Sequence, residues 1–119
     1  MMNIKFRAWN KVNKIMYADA INNCLDEFSM VIKHPQIYEV MQYIGLKDKN
    51  GVEVCEGDII QAINRNYDCE DDRDKYFQAF KITYLNGCFM FGNWNAQEFY
   101  NKFMFKEIIG NIYENPKMI

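Results

Sequence analysis

The alternation of apolar and polar positions predicts a chain of short strands. Ile4, Phe6 and Ala8 alternate with Lys5, Arg7 and Trp9, giving a first strand with its apolar set inward and its basic set outward. The polar run 10–14 turns the chain, and Ile15-Met16-Tyr17 returns as a hairpin partner. Over 19–29 no clean period appears. Ile21, Leu25 and Phe28 suit a helical turn, which Asn22-Asn23 disfavours. Met30-Val31-Ile32 reads as a strand closed by His34-Pro35, because proline restricts the residue before it to extended geometry. Residues 37–44 are β-branched and aromatic, a further strand.

The central stretch 42–60 packs two turns and two strands together. Asn50-Gly51 tolerates positive φ at both central positions of a tight hairpin turn. Val52 and Val54 alternate with Glu53 and Cys55, Glu56-Gly57-Asp58 interrupts, and an apolar strand follows over 59–63. Residues 64–75 are polar and acidic without an apolar period, an exposed loop. A long strand over 77–85 puts Phe80, Ile82 and Tyr84 on one face. Asn86-Gly87 then turns the chain into 88–91. Asn95 caps a short helix, with Glu98 three residues on, and places Phe99 and Phe103 at i, i+4 beside Tyr100 and Met104. A closing strand over 107–113 is interrupted by Gly110 and stopped by Pro116. The pattern therefore predicts a mainly β chain, a small barrel with one short helix near the C-terminus.

Length and composition narrow the class. At 119 residues the chain reads as one domain, 1–119, and 50% hydrophobic residues supply a core without staples. The net charge of −2, with both signs interspersed, shows no basic stripe of the kind that neutralises many phosphates. The N-terminus lacks an apolar signal region, and no run approaches the roughly 18 apolar residues of a membrane span. The expectation is a cytoplasmic protein with reduced thiols and no membrane contact.

Catalytic material is sparse. Cys24, Cys55, Cys69 and Cys88 form no CxxC pair, and His34 is the only histidine, so neither a zinc site nor a cysteine–histidine nucleophile is expected. His34 reads as a surface residue before a turn. Asp68, Glu70, Asp72 and Asp74 mimic the start of a calcium loop. Arg73 stands where its glycine belongs and Ala79 where its bidentate glutamate belongs, so the run reads as solvated charge. Glu53, Glu56 and Asp58 read as a turn in which Asp58 caps backbone. Ser29 is the only serine, and no glycine-rich phosphate loop is present. No enzyme, cofactor or metal is expected.

Three segments resemble the YopX family of phage and prophage proteins: IKFRAWNKVNKIMY (4–17), MQYIGLKDKNGVEVCEGDII (41–60) and IIGNIYENP (108–116). Ile44 stands where a small polar residue is expected, and Cys55 where an aromatic is usual. The resemblance implies an SH3-like barrel elaborated by extra strands and a phage or prophage origin, with no defined reaction. Fold does not fix function.

The expected function is accordingly an interaction module that self-associates or docks a host or phage protein. Aromatic residues in the second half exceed what a small barrel interior takes up, and those left over mark an interface. Trp9, Trp94, Phe99, Tyr100 and Phe103 are its candidate residues. The alternative is a nucleic-acid-binding accessory protein of phage replication or regulation, reading through Lys5, Arg7, Lys47 and Lys49.

Overall fold

A computed structural model describes residues 5–17, 33–67 and 76–118. The chain resolves into two compact units, residues 1–45 and 46–119. The expected strand at Met30-Val31-Ile32, the weakly helical stretch 19–29 and the acidic run from Asp68 to Asp74 lie outside the described residues.

In the first unit, β1 (Phe6–Asn10) pairs with β2 (Ile15–Tyr17) on one side and β3 (Tyr38–Lys47) on the other, both antiparallel. Ala8 faces Tyr17 across one ladder and Val40 across the other. The β1–β2 turn is closed by side chains: Asn10 Oδ1 accepts the N–H of Val12 at 2.9 Å and of Asn13 at 3.1 Å. His34 does precede a turn, its carbonyl accepting the N–H groups of Ile37 and Tyr38. Against the expectation, Lys5, Arg7 and Trp9 do not form a solvated outer face, because Arg7, Ala8, Trp9 and Asn10 are all buried. The period-two reading fails because arginine and tryptophan carry apolar bodies that bury readily beneath a polar end.

In the second unit, a turn at 48–51 leads from the end of β3 into β4 (Glu53–Cys55), and Glu56-Gly57 leads into β5 (Asp58–Asn64). A 3₁₀ turn (Arg65–Tyr67) follows. Then come β6 (Phe77–Leu85), β7 (Cys88–Phe91), β8 (Trp94–Asn95), helix α1 (Ala96–Lys102) and β9 (Phe103–Asn111). The antiparallel sheet runs β8-β7-β6-β5-β9. In β5, Ile59, Ile60, Ala62 and Ile63 are all buried, so this central strand is covered on both faces and reads as a continuous apolar run. Two register shifts between β5 and β9 mark bulges, and Phe105 at the second has φ +56°, rare for a bulky residue. The sheet curls into a half-barrel. The described residues are thus mainly β, with the short helix α1 toward the C-terminus, in keeping with the expected elaborated SH3-like curl.

Two local readings change. Asn86 and Gly87 both have positive φ, +52° and +84°, between the paired residues Leu85 and Cys88, as a two-residue hairpin requires. At Asn50-Gly51 only the glycine does, at +81°. Asp48 N donates to Val52 O and Gly51 N to Asp48 O, so this is a three-residue loop with glycine closing it. The second change is that α1 ends at Lys102 and the closing strand starts at Phe103, not at 107. Phe103 and Met104 are strand residues, yet the Phe103 ring still stacks on Phe99, at 4.9 Å between centroids.

Candidate interaction surface

The aromatic cluster of the second unit is built from the helix outward. Asn95 is the N-cap, with extended backbone, and its Oδ1 accepts Glu98 N at 2.8 Å while its amide reaches the Glu98 carboxylate. This cap directs Phe99 into the sheet. There Phe99 stacks on Phe91 at 4.5 Å and meets the edge of Phe80 at 5.0 Å. Phe103 joins from β9, edge-on to Phe80 at 4.8 Å and to Trp94 at 5.9 Å. Phe80, Phe91, Phe99 and Phe103 are buried. Much of the aromatic excess is therefore a core that one helical turn closes, and Phe99 and Phe103 present no ring to solvent.

Trp94 and Tyr100 sit half-buried at the rim of that core, each under a lysine. Lys102 Nζ lies 4.6 Å from the Trp94 ring centroid, and Lys106 Nζ lies 4.2 Å from that of Tyr100. Lys106 Nζ also donates to Phe103 O at 3.2 Å, and Arg65 Nε to Asn101 O at 3.1 Å. Partial burial, then the Arg65 charge, hold the Lys106 ammonium below the usual lysine range. Burial raises the Tyr100 phenol, and the Asp48 carboxylate adds to that; its hydroxyl donates to Lys47 O at 3.4 Å.

The other residues expected to bind fall elsewhere. Trp9 is 8% exposed in the first unit, where Lys5 is half-buried and Arg7 buried. Lys47 is exposed in the second unit. Lys49 is also there, ion-paired to Glu107 at 2.9 Å. Of the turn carboxylates, Asp58 caps as expected, its Oδ2 accepting Cys55 N at 2.8 Å, while Glu53 is exposed and Glu56 half-buried. Among the described residues, no three histidine, cysteine or carboxylate side chains cluster as a metal site.

Two groups escaped the sequence reading. One is Asp48, which is nearly buried and whose carboxylate accepts three backbone N–H groups. Oδ1 takes Asn50 and Val52, both at 2.9 Å, and Oδ2 takes Ile108, sixty residues away, at 3.0 Å. Burial alone would raise its pKa; the bonds from Ile108, Val52 and Asn50, with the Lys49 charge, outweigh that and hold it below the ordinary carboxylate value. With Lys49 N donating to Lys106 O, this turn pairs two backbone groups of β9, Lys106 O and Ile108 N. The signal available in sequence was an aspartate two residues ahead of Asn-Gly, a side chain placed to bond its own turn. The other group is the β6–β7 hairpin tip. Phe80 and Ile82 face the core, and the same face of β6 runs on to Tyr84, which rests edge-on against Phe89 at 5.1 Å. Tyr84 is 55% and Leu85 59% exposed, beside the exposed thiol of Cys88.

The segments quoted for the resemblance share one structural logic: each is centred on a side chain that caps backbone. Asn10 closes the first, Asp48 and Asp58 the second. In the third, Asn111 Oδ1 accepts Tyr113 N and Glu114 N, and Asn115 Oδ1 accepts Asn111 N. Fold and surface define a class of small, mainly β proteins with side-chain-capped turns and a half-barrel packed by the short helix α1. The chain belongs to the YopX family, whose sequence model, described as YopX protein, matches residues 5–119. It is similar to a solved structure described as protein EF1440 from Enterococcus faecalis, with 27% identity, a TM-score of 0.67 and 99% of each chain covered. No curated protein matches.

Proposed function

We propose that this chain is a non-enzymatic interaction module, encoded by a phage or prophage and acting in the cytoplasm of the bacterial host, that self-associates or docks a host or phage protein. The observation that carries the reading is the β6–β7 hairpin tip. Tyr84 and Phe89 on one face, and Leu85 with Cys88 on the other, extend past the buried Ile82–Phe91 pair on a two-residue turn. A short, conformationally fixed turn holds these side chains in place before any partner arrives, which lowers the ordering cost of binding. Exposed aromatic and aliphatic residues grouped on a rigid element suit the centre of a protein interface. No helix among the described residues is long and apolar enough to cross a membrane.

The test is sedimentation of the full chain over a range of concentrations, with capture from nuclease-treated host lysate alongside. Tyr84→Ser with Leu85→Ser is expected to abolish association while leaving the unfolding midpoint close to that of the parent. If two hairpins meet, mild oxidation traps a Cys88-linked dimer in the parent and not in the double variant. A strict monomer that captures no protein would count against the reading.

A further inference from the structure

Three cations converge on the three residues that end α1 and begin β9. Arg65 reaches Asn101 O from the 3₁₀ turn, Lys102 belongs to the helix end itself, and Lys106 folds back to Phe103 O from beyond the β9 bulge. Among the described residues, three carboxylates of this unit are otherwise engaged. Asp48 holds three backbone N–H groups, Glu107 holds Lys49, and Glu98 completes the Asn95 cap. Among the described residues, none of the three cations forms an ion pair. Capping the helix does not account for them: α1 has seven residues, and one cation suffices for so short a dipole.

Two aromatic rings lie beside these cations. Trp94 and Tyr100 each meet the phenylalanine core edge-to-face, and each also carries a lysine ammonium over its ring. The exposed Lys102 ammonium is held over Trp94 more weakly than a stacked nucleobase. A base arriving at Trp94 therefore displaces Lys102, which finds a phosphate within the reach of its own stem, while the half-buried Lys106, anchored on Phe103 O, keeps its charge beside Tyr100. Positive charge beside aromatic platforms is the combination that binds single strands without sequence preference, whereas an acidic polypeptide uses the charge and leaves the rings idle.

We propose that Arg65, Lys102 and Lys106, with Trp94 and Tyr100, form a binding site for single-stranded nucleic acid. This site is separate from the hairpin tip and does not use Lys5, Arg7 or Lys49. The partial burial of Lys106 and its repulsion by Arg65 agree with it, since an arriving phosphate would offset the cost of that charge.

The experiment is fluorescence anisotropy of the full chain with a labelled oligo-dT of about a dozen nucleotides, titrated across salt, with poly-glutamate as the competing probe. Trp94 emission is read in parallel against a Trp94→Phe control, which isolates it from Trp9. The parent is expected to bind at low salt and to quench Trp94. Arg65→Gln/Lys102→Gln/Lys106→Gln is expected to weaken binding at least tenfold and to lower the salt slope by about 2, the value for three phosphate contacts on a single strand. Lys5→Gln/Lys49→Gln is expected to bind as the parent does, and a matched unfolding midpoint establishes that the triple variant is folded. No binding at low salt, unchanged affinity in the triple variant, or poly-glutamate binding as tightly with no Trp94 quenching each overturns the proposal. The last of these assigns the surface to an acidic protein instead.

Discussion

Asp48→Asn is the perturbation that best isolates what holds the second unit together. The amide keeps one oxygen for the Asn50 and Val52 N–H groups but turns Nδ2, a donor, toward the Ile108 N–H. One bond to a charged acceptor is lost, a donor on β9 is left unmet, and the two remaining bonds lose their charge. Hydrogen bonds to charged groups contribute about 1.5–3 kcal/mol each, so the expected destabilisation is about 2–3 kcal/mol. Asp48→Ala, which removes all three bonds, is expected to cost about 4 kcal/mol. Urea unfolding followed by tryptophan fluorescence reads this directly. At a slope of about 1.5 kcal/mol per molar, Asp48→Asn moves the midpoint down by roughly 1.5 M. The same residue sets a pH dependence. Its folded pKa lies below the ordinary 3.8, so as pH falls the unfolded chain takes up the proton first. The stabilisation is complete above 3.8 and drains away as pH drops through that value toward the folded pKa. The gap between parent and Asp48→Asn should therefore be constant near neutrality and narrow in acid. A variant within about 0.5 kcal/mol of the parent, or a gap unchanged down to acid pH, refutes the assignment.

Other substitutions test the remaining parts of the argument. Phe99→Ala opens the centre of the ring cluster and is expected to cost about 3–5 kcal/mol, read by thermal or urea unfolding. Gly110→Ala puts a methyl 2.5 Å from Asn115 Oδ1, which accepts Asn111 N, and should release the C-terminal turn, seen as faster amide exchange at Asn111. At Gly87 the added methyl meets nothing within 4 Å, so Gly87→Ala should cost only the backbone strain of its φ of +84°, about 1 kcal/mol by denaturation. Peptide mapping after alkylation should find Cys88 modified in the folded protein and Cys55, which is fully buried, modified only after unfolding.

Local chemistry made much of the architecture legible. The apolar run of β5, the period of two in β6, the Asn-Gly turn between β6 and β7, and the Asn95–Glu98 cap each depend on neighbours within a few residues, and sequence specifies such neighbours. The two compact units and the path of the sheet are another matter. β9 pairs with β5 across a gap of some forty residues, and nothing within 103–111 names that partner. β1 looked amphipathic because Arg7 and Trp9 alternate with Phe6 and Ala8; tertiary packing buried Arg7 and Trp9 along with Ala8 and left Phe6 half-buried. The switch from helix to strand at Phe103 was hidden because Phe99 and Phe103 satisfy a helical face and also stack across a helix–strand junction.

The candidate surface divides the same way. Sequence put Trp94, Tyr100, Phe99 and Phe103 in one aromatic stretch, and it showed aspartates and asparagines next to turns. Only the folded chain decided which rings are core and which are rim, because that depends on Phe80 and Phe91 arriving from another hairpin. Arg65 is some forty residues from Lys106, and only the fold brings both to the end of α1. The Asp48 carboxylate likewise acquires its role from Ile108, which β9 delivers sixty residues later. Short-range hydrogen bonding and periodicity are written in the order of residues. Long-range burial and the gathering of like charges are set by which strands pair, and pairing is a property of the whole chain.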